Sequence, residues 1–193
     1  MILNLVNTVT ARNAEPVDWL DGYPRLLEWA ELTGDFAPTT LAALRRASAA
    51  GSRAANLALR NAKALRETLW EVLSATIEGR AVPQGALERL QSRWRSAVAH
   101  ASLTAEGRHV ATTLSVETSG LEYLSHVLVL RAVRLLETLP LDRTRICAGP
   151  QCGWLFIDRS KAGKRRWCDM ATCGSAAKTR TQRQRMSQRA HRG

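Results

Sequence analysis

Through most of the first 140 positions, apolar residues recur at three- and four-residue steps, the spacing that gathers them on one face of an α-helix. The clearest run is residues 53–77, where Leu57, Leu65, Leu69, Val72, Leu73 and Ile77 share a face and Lys63 stands four before Glu67. This predicts the longest helix of that half, stopped at Glu78-Gly79-Arg80. Leu26, Leu27, Trp29, Ala30 and Leu32 predict a shorter helix ended by Gly34. Pro38 opens another with Leu41, Leu44 and Ala47, and Pro83 opens a fourth with Leu87, Leu90, Trp94 and Val98. Between Ala101 and Glu117 the period drops to two: Leu103, a turn at Glu106-Gly107-Arg108, then Val110, Thr112, Leu114 and Val116. That pattern predicts a β-hairpin packed on the helical body. Ser119 reads as the N-cap of a last helix that runs through Leu121, Leu124, Val127, Leu128 and Leu135 to Pro140. The expected architecture is mainly α: an orthogonal helical domain over residues 1–140 with one small β-hairpin, and a small module over residues 141–193.

Charge sharpens that boundary. Residues 1–142 carry 15 Lys and Arg against 15 Asp and Glu, whereas residues 143–193 carry 13 against 2, so the whole net charge of +11 sits on the second segment. A strongly basic module joined to a neutral domain points to a polyanionic partner. The N-terminus has no basic n-region and only a short apolar run, and no eighteen-residue apolar stretch exists; Leu121 to Leu139 is interrupted by Glu122, His126, Arg131, Arg134 and Glu137. The expectation is a cytoplasmic protein without a membrane partner.

The neutral domain holds no Walker loop, G-x-G-x-x-G, G-x-S-x-G or H-E-x-x-H, and His100, His109, His126 and His191 are scattered. A non-enzymatic role is expected. Asn7 and Thr8, polar residues in an apolar run, read as a capping or turn pair that satisfies backbone groups, with a ligand-binding role as the alternative. Trp19, Trp29, Trp70 and Trp94 read as core residues, with the lining of a small-molecule cavity as the alternative.

All four cysteines lie in the basic segment, as Cys147-x4-Cys152, fifteen residues, and Cys168-x4-Cys173. Two pairs joined by a loop can close a tetrahedron around one metal, and zinc suits four thiolates. Two disulfides, or an iron–sulfur cluster, would use the same sulfurs. Four protein ligands would leave zinc no open position, which makes such a site structural.

Cys147 and Cys152-Gly-Trp-Leu-Phe156-Ile-Asp158-Arg-Ser160, followed by Lys164-Arg165-Arg166-Trp167-Cys168-Asp-Met170 and Cys173-Gly174, resemble the CGNR zinc finger. The family's Cys-Gly-Asn-Arg tetrapeptide is Cys173-Gly174-Ser175-Ala176 here, so the zinc ligands are kept and the Asn and Arg side chains are absent. Leu3-Asn4-Leu5-Val6-Asn7-Thr8, with Trp19-Leu20 and Leu26-Leu27-Glu28-Trp29, is similar to the ABATE domain, which usually precedes such fingers and is described as a stress-induced regulator. The resemblance implies one structural zinc and a DNA-binding role in bacterial transcription.

The residues expected to meet nucleic acid are Lys161, Lys164, Arg165 and Arg166 between the cysteine pairs, and Lys178, Arg180, Arg183, Arg185 and Arg189 on a C-terminal helix. Lys178, Arg185, Arg189 and Arg192 share a stripe of that helix, while Arg180 and Arg183 lie on its far side, and no apolar stripe accompanies them. DNA is the expected partner, with a homodimer and a small-molecule effector as further partners of the helical domain. RNA or an acidic protein is the alternative for the basic segment.

Overall fold

The computed structural model describes residues 1–190, apart from the side chains of Ser52, Glu106, Thr181, Gln184, Arg185 and residues 187–190. The chain divides into two compact units, one formed by residues 1–6 and 19–139, the other by residues 7–18 and 140–193.

The first unit is helical. It contains α1 (Ile2–Val6), α2 (Tyr23–Thr33), α3 (Pro38–Ala49), α4 (Ser52–Ile77), α5 (Gln84–Ala99), α6 (Val116–Ser119) and α7 (Tyr123–Thr138). The stop and start signals act as their chemistry requires. Gly34 ends α2 in the left-handed region at φ 68, where a side chain would be strained, and Pro38 begins α3 with its ring-fixed φ. Leu65, Leu69 and Leu73 of α4 are fully enclosed, as are Leu124 and Leu128 of α7, the helix against which α4 packs.

Two sequence expectations are corrected in this core. On α5 the inward face is Ala86, Leu90 and Ala97, whereas Leu87, Trp94 and Val98 remain 48%, 39% and 44% exposed. Small alanines let α5 approach α4 and α7 closely, and that contact outweighs the pull of the larger side chains. Nor do the tryptophans form a core, since Trp19 is 60% exposed and Trp29 and Trp70 are half-buried.

The hairpin forms from β3 (Ser102–Glu106) and β4 (His109–Thr113), with Leu103 opposite Thr112 and Ala105 opposite Val110; β1 and β2 belong to the second unit. Gly107, at φ 61, supplies the first central residue of a two-residue turn. Its apolar face is not packed on the helices, for Leu103 and Val110 are 74% and 72% exposed. After it, Ser115 and not Ser119 caps a helix, accepting the Thr118 amide.

The second unit holds two further antiparallel pairs, β1 (Val9–Thr10) with β2 (Val17–Asp18), and β5 (Thr144–Ile146) with β6 (Leu155–Ile157). It ends in α8 (Ser175–Ala190). Its interior is small, built on Val9, Thr144, Cys147, Cys152, Leu155 and Asp158. No described helix is long and apolar enough to cross a membrane.

Candidate metal centre

Cys147 and Cys152 lie on the turn that joins β5 to β6, and backbone bonds fold that turn tightly. Cys147 N–H donates to the Trp154 carbonyl at 2.8 Å and Cys152 N–H to Gly149 at 3.1 Å. A Cβ on Gly149 would stand 3.3 and 3.4 Å from the Cys173 and Cys147 sulfurs, so a bare α-carbon suits this wall of the site. The second pair is brought back by the loop after β6. Asp158, almost fully enclosed, organises that loop by accepting the Ser160 amide at 2.9 Å and the Arg165 amide at 2.8 Å. The Arg165 amide first, then the Ser160 side chain and amide, hold its carboxyl at about 2, well below the usual carboxylate range. Ala148 N–H then reaches the Arg166 carbonyl at 2.9 Å and ties the two cysteine turns together. Asp169 accepts the Thr172 amide at 2.8 Å and starts a π-turn, Met170–Gly174, that carries Cys173 directly into α8.

The four Sγ atoms lie within 4.8 Å of one another, with Cys152 and Cys168 3.7 Å apart and Cys168 and Cys173 3.8 Å apart. Four ligands about 2.3 Å from a zinc ion at tetrahedral angles stand about 3.8 Å from each other. Two of the separations therefore already match those a single zinc requires, and all four sulfurs are close enough to share one ion. All four cysteines are free thiols, which rules out the disulfide alternative, and the spacing encloses one ion where several irons would force the sulfurs apart. The Gly149 and Cys168 amides point at the Cys147 sulfur at 3.4 and 3.3 Å, the kind of donor that stabilises a metal-bound thiolate. Among the sulfurs alone, burial pushes Cys152 up to about 12 and also raises Cys168. Burial acts the same way on Cys147 and is the largest single influence there, but the Cys168 and Gly149 amides together with the Cys152 and Cys168 side chains outweigh it and its pKa falls. A divalent cation removes the penalty on the others, because it holds coordinated thiols as thiolates. One structural zinc fits this donor set, and its sphere is closed.

A third contributor comes from far away in sequence. Asn7 donates from Nδ2 to the Leu155 carbonyl and accepts the Leu155 amide on Oδ1, both at 2.9 Å, so its side chain pairs with β6 as a strand would. Arg12 N–H donates to the Cys152 carbonyl at 3.0 Å, and Asn13 Nδ2 to the Gly149 carbonyl at 3.1 Å. Gly153 lies so close to this segment that a Cβ there would meet Arg12 Cβ and Asn13 Oδ1 at 3.0 Å. Residues 7–18 thus brace the first cysteine turn. Asn7 does satisfy backbone groups, but those of a strand 148 positions on.

The basic residues separate by surroundings. Lys161, Lys164 and Arg166 are exposed on the loop, and Lys178, Arg180 and Arg183 are exposed on α8. Arg165 is turned inward: its guanidinium lies 5.5 Å from the Phe156 ring centroid and donates to the Cys168 carbonyl. It braces the loop. Arg166 stacks on Trp167 at 5.3 Å, which covers one face of that half-buried indole. The side chains of Arg185 and Arg189 lie outside the described residues.

Comparison with known families divides the chain in the same place as its charge. Residues 143–186 match the CGNR zinc finger, and residues 1–139 match the ABATE family, described as "Putative stress-induced transcription regulator". The chain belongs to the ABATE family. No curated protein matches it. In this ABATE protein the family boundary and the folding boundary differ, because residues 7–18 match with the helical part and fold with the finger. Where the finger family carries Asn-Arg, Ser175 and Ala176 are both exposed at the start of α8, and the Ser175 hydroxyl donates to the Met170 carbonyl at 3.2 Å.

Proposed function

We propose that this chain is a cytoplasmic, non-enzymatic, DNA-binding transcription regulator whose zinc sets the position of a basic helix against the phosphate backbone. The observation that carries this reading is the continuity of Cys173, a zinc ligand, with α8 through a single π-turn. A helix without an apolar stripe has no core to orient it, so its anchored end must do so. The exposed cations Lys161, Lys164 and Arg166 on the loop and Lys178, Arg180 and Arg183 on the helix then offer a surface for phosphates. Thiolate charge beside the N-terminal end of α8 also suits that end of the helix dipole.

Phosphate contacts position a protein without reading sequence. Arg165, committed to Phe156 and Cys168, is not available for base edges in this arrangement, and the Asn and Arg of the family tetrapeptide are absent. The module is therefore a positioning element of modest selectivity. RNA or an acidic protein is the second reading, favoured by cations on both sides of α8. Competition on the full chain separates the two: duplex DNA should displace structured RNA and heparin, and preferential retention of either competitor would overturn the DNA assignment.

A further inference from the structure

Between α4, α5 and α7 of the first unit lies a cavity of about 160 Å³, lined by the polar residues Asn61, Arg93, Ser96, Glu122, Ser125 and His126 and by apolar surface that includes Leu65 and Val129. Ser125 and His126 are only 8% and 7% exposed, on a helix that otherwise turns Leu124, Leu128, Val129 and Ala132 inward. The His126 Nδ1 atom meets the Ser119 hydroxyl at 3.1 Å, but among the described residues neither His126 Nε2 nor the Ser125 hydroxyl has a hydrogen-bond partner. Those two groups present unused hydrogen-bonding capacity to the cavity.

Two opposite charges complete the wall. Asn61 holds both, its main-chain carbonyl accepting from the Arg93 guanidinium at 3.3 Å and its side-chain Nδ2 donating to Glu122 at 2.6 Å. Yet Arg93 and Glu122 form no ion pair with each other. Burial lowers the pKa of Arg93 and the Glu122 carboxylate opposes the shift, as expected for charges that face one another across a small space. A ligand with one charge would compensate only one of them, whereas a ligand with both would compensate the pair. Size narrows the class further, since a cavity of about 150 Å³ holds a molecule the size of benzene.

We propose that this cavity binds a small zwitterion of the α-amino-acid type, its carboxylate on the Arg93 guanidinium and its ammonium on Glu122, with Ser125 and His126 as additional hydrogen-bond partners. Leu65 and Val129 leave room for a short aliphatic side chain. The site lies wholly within the first unit and does not depend on the DNA reading.

Calorimetric titration of the full, zinc-loaded chain with glycine, L-alanine and L-serine tests it, with acetate and methylammonium as probes that carry one charge each. L-alanine should bind, and each single-charge probe should bind at least about tenfold more weakly. Glu122→Gln keeps an acceptor for Asn61 and removes the charge; it and Arg93→Gln should each weaken L-alanine about ten- to a hundredfold. Ser125→Ala, a change too small to disturb α7, should weaken it several-fold while the circular dichroism stays unchanged. The proposal is overturned if none of the three amino acids binds at high millimolar concentration, if acetate or methylammonium binds as well as L-alanine, or if binding survives all three substitutions.

Discussion

Asn7 shows how much one carboxamide can organise. It occupies both backbone groups of Leu155, and Asn7→Ala would leave a part-buried N–H and C=O unpaired at about 1–3 kcal/mol. Zinc should then pass to a competing chelator faster than from the wild-type chain, with the helices of the first unit intact; an unchanged transfer rate would show that the Asn7 contact is dispensable. Cys168 tests the centre itself. Cys168→Ser removes one corner of the tetrahedron, so metal analysis of the purified variant should find no stoichiometric zinc, and the second unit should unfold while the first keeps its helical signal. Asp158 gives the pH dependence a definite sign. Its carboxyl titrates at about 2 in the folded chain against a usual 3.8, so its stabilising effect is complete above about pH 4 and is lost as pH falls toward 2. Asp158→Asn should abolish that limb of the acid titration and loosen residues 158–165 at every pH, which amide hydrogen exchange at Ser160 and Arg165 would report.

Helix ends were legible because their chemistry is local. Gly34, Pro38 and the Pro83 region mark boundaries through backbone constraints that need no knowledge of the rest of the fold. Helix facing was less legible. Periodicity weights large side chains, and it selects Leu87, Trp94 and Val98 on α5, whereas close helix packing selects Ala86 and Ala97. The metal centre was readable for a similar local reason, since all four cysteines stand in two spaced pairs. Its supports were not: the partners of Asn7, Asn13 and Asp158 depend on how the chain returns on itself, and no local spacing encodes that. The hairpin combines both cases, its turn being evident from Gly107 and its exposure invisible to a period of two. Leu103→Ser should accordingly change stability by no more than about 0.5 kcal/mol, as at an ordinary surface position. Leu69→Ala, in the enclosed core, should cost about 2–5 kcal/mol in the same denaturant titration. Similar losses for both would mean that the apolar face of the hairpin is covered in solution.

The finger is not a separable tail. Residues 7–18 belong to its folding unit, so a fragment that starts near residue 141 lacks the Asn7, Arg12 and Asn13 bonds and should hold zinc less tightly than the full chain. Nucleic-acid binding is therefore best measured on the whole protein. If its exposed cations neutralise about four to six phosphates, log K should fall against log salt with a slope of about −3.6 to −5.4. Arg183 is an exposed member of that set, ten positions beyond Cys173 on α8. Arg183→Glu should weaken binding to unrelated duplexes by similar factors and make the slope shallower by about one to two, because the contact it removes is made with phosphate. Unrelated duplexes should bind within about tenfold of one another, below the usual ratio of specific to non-specific binding. A slope near zero, or a substitution that changes which sequence is preferred, would mean that α8 reads bases and that the phosphate-positioning account of the helix is wrong.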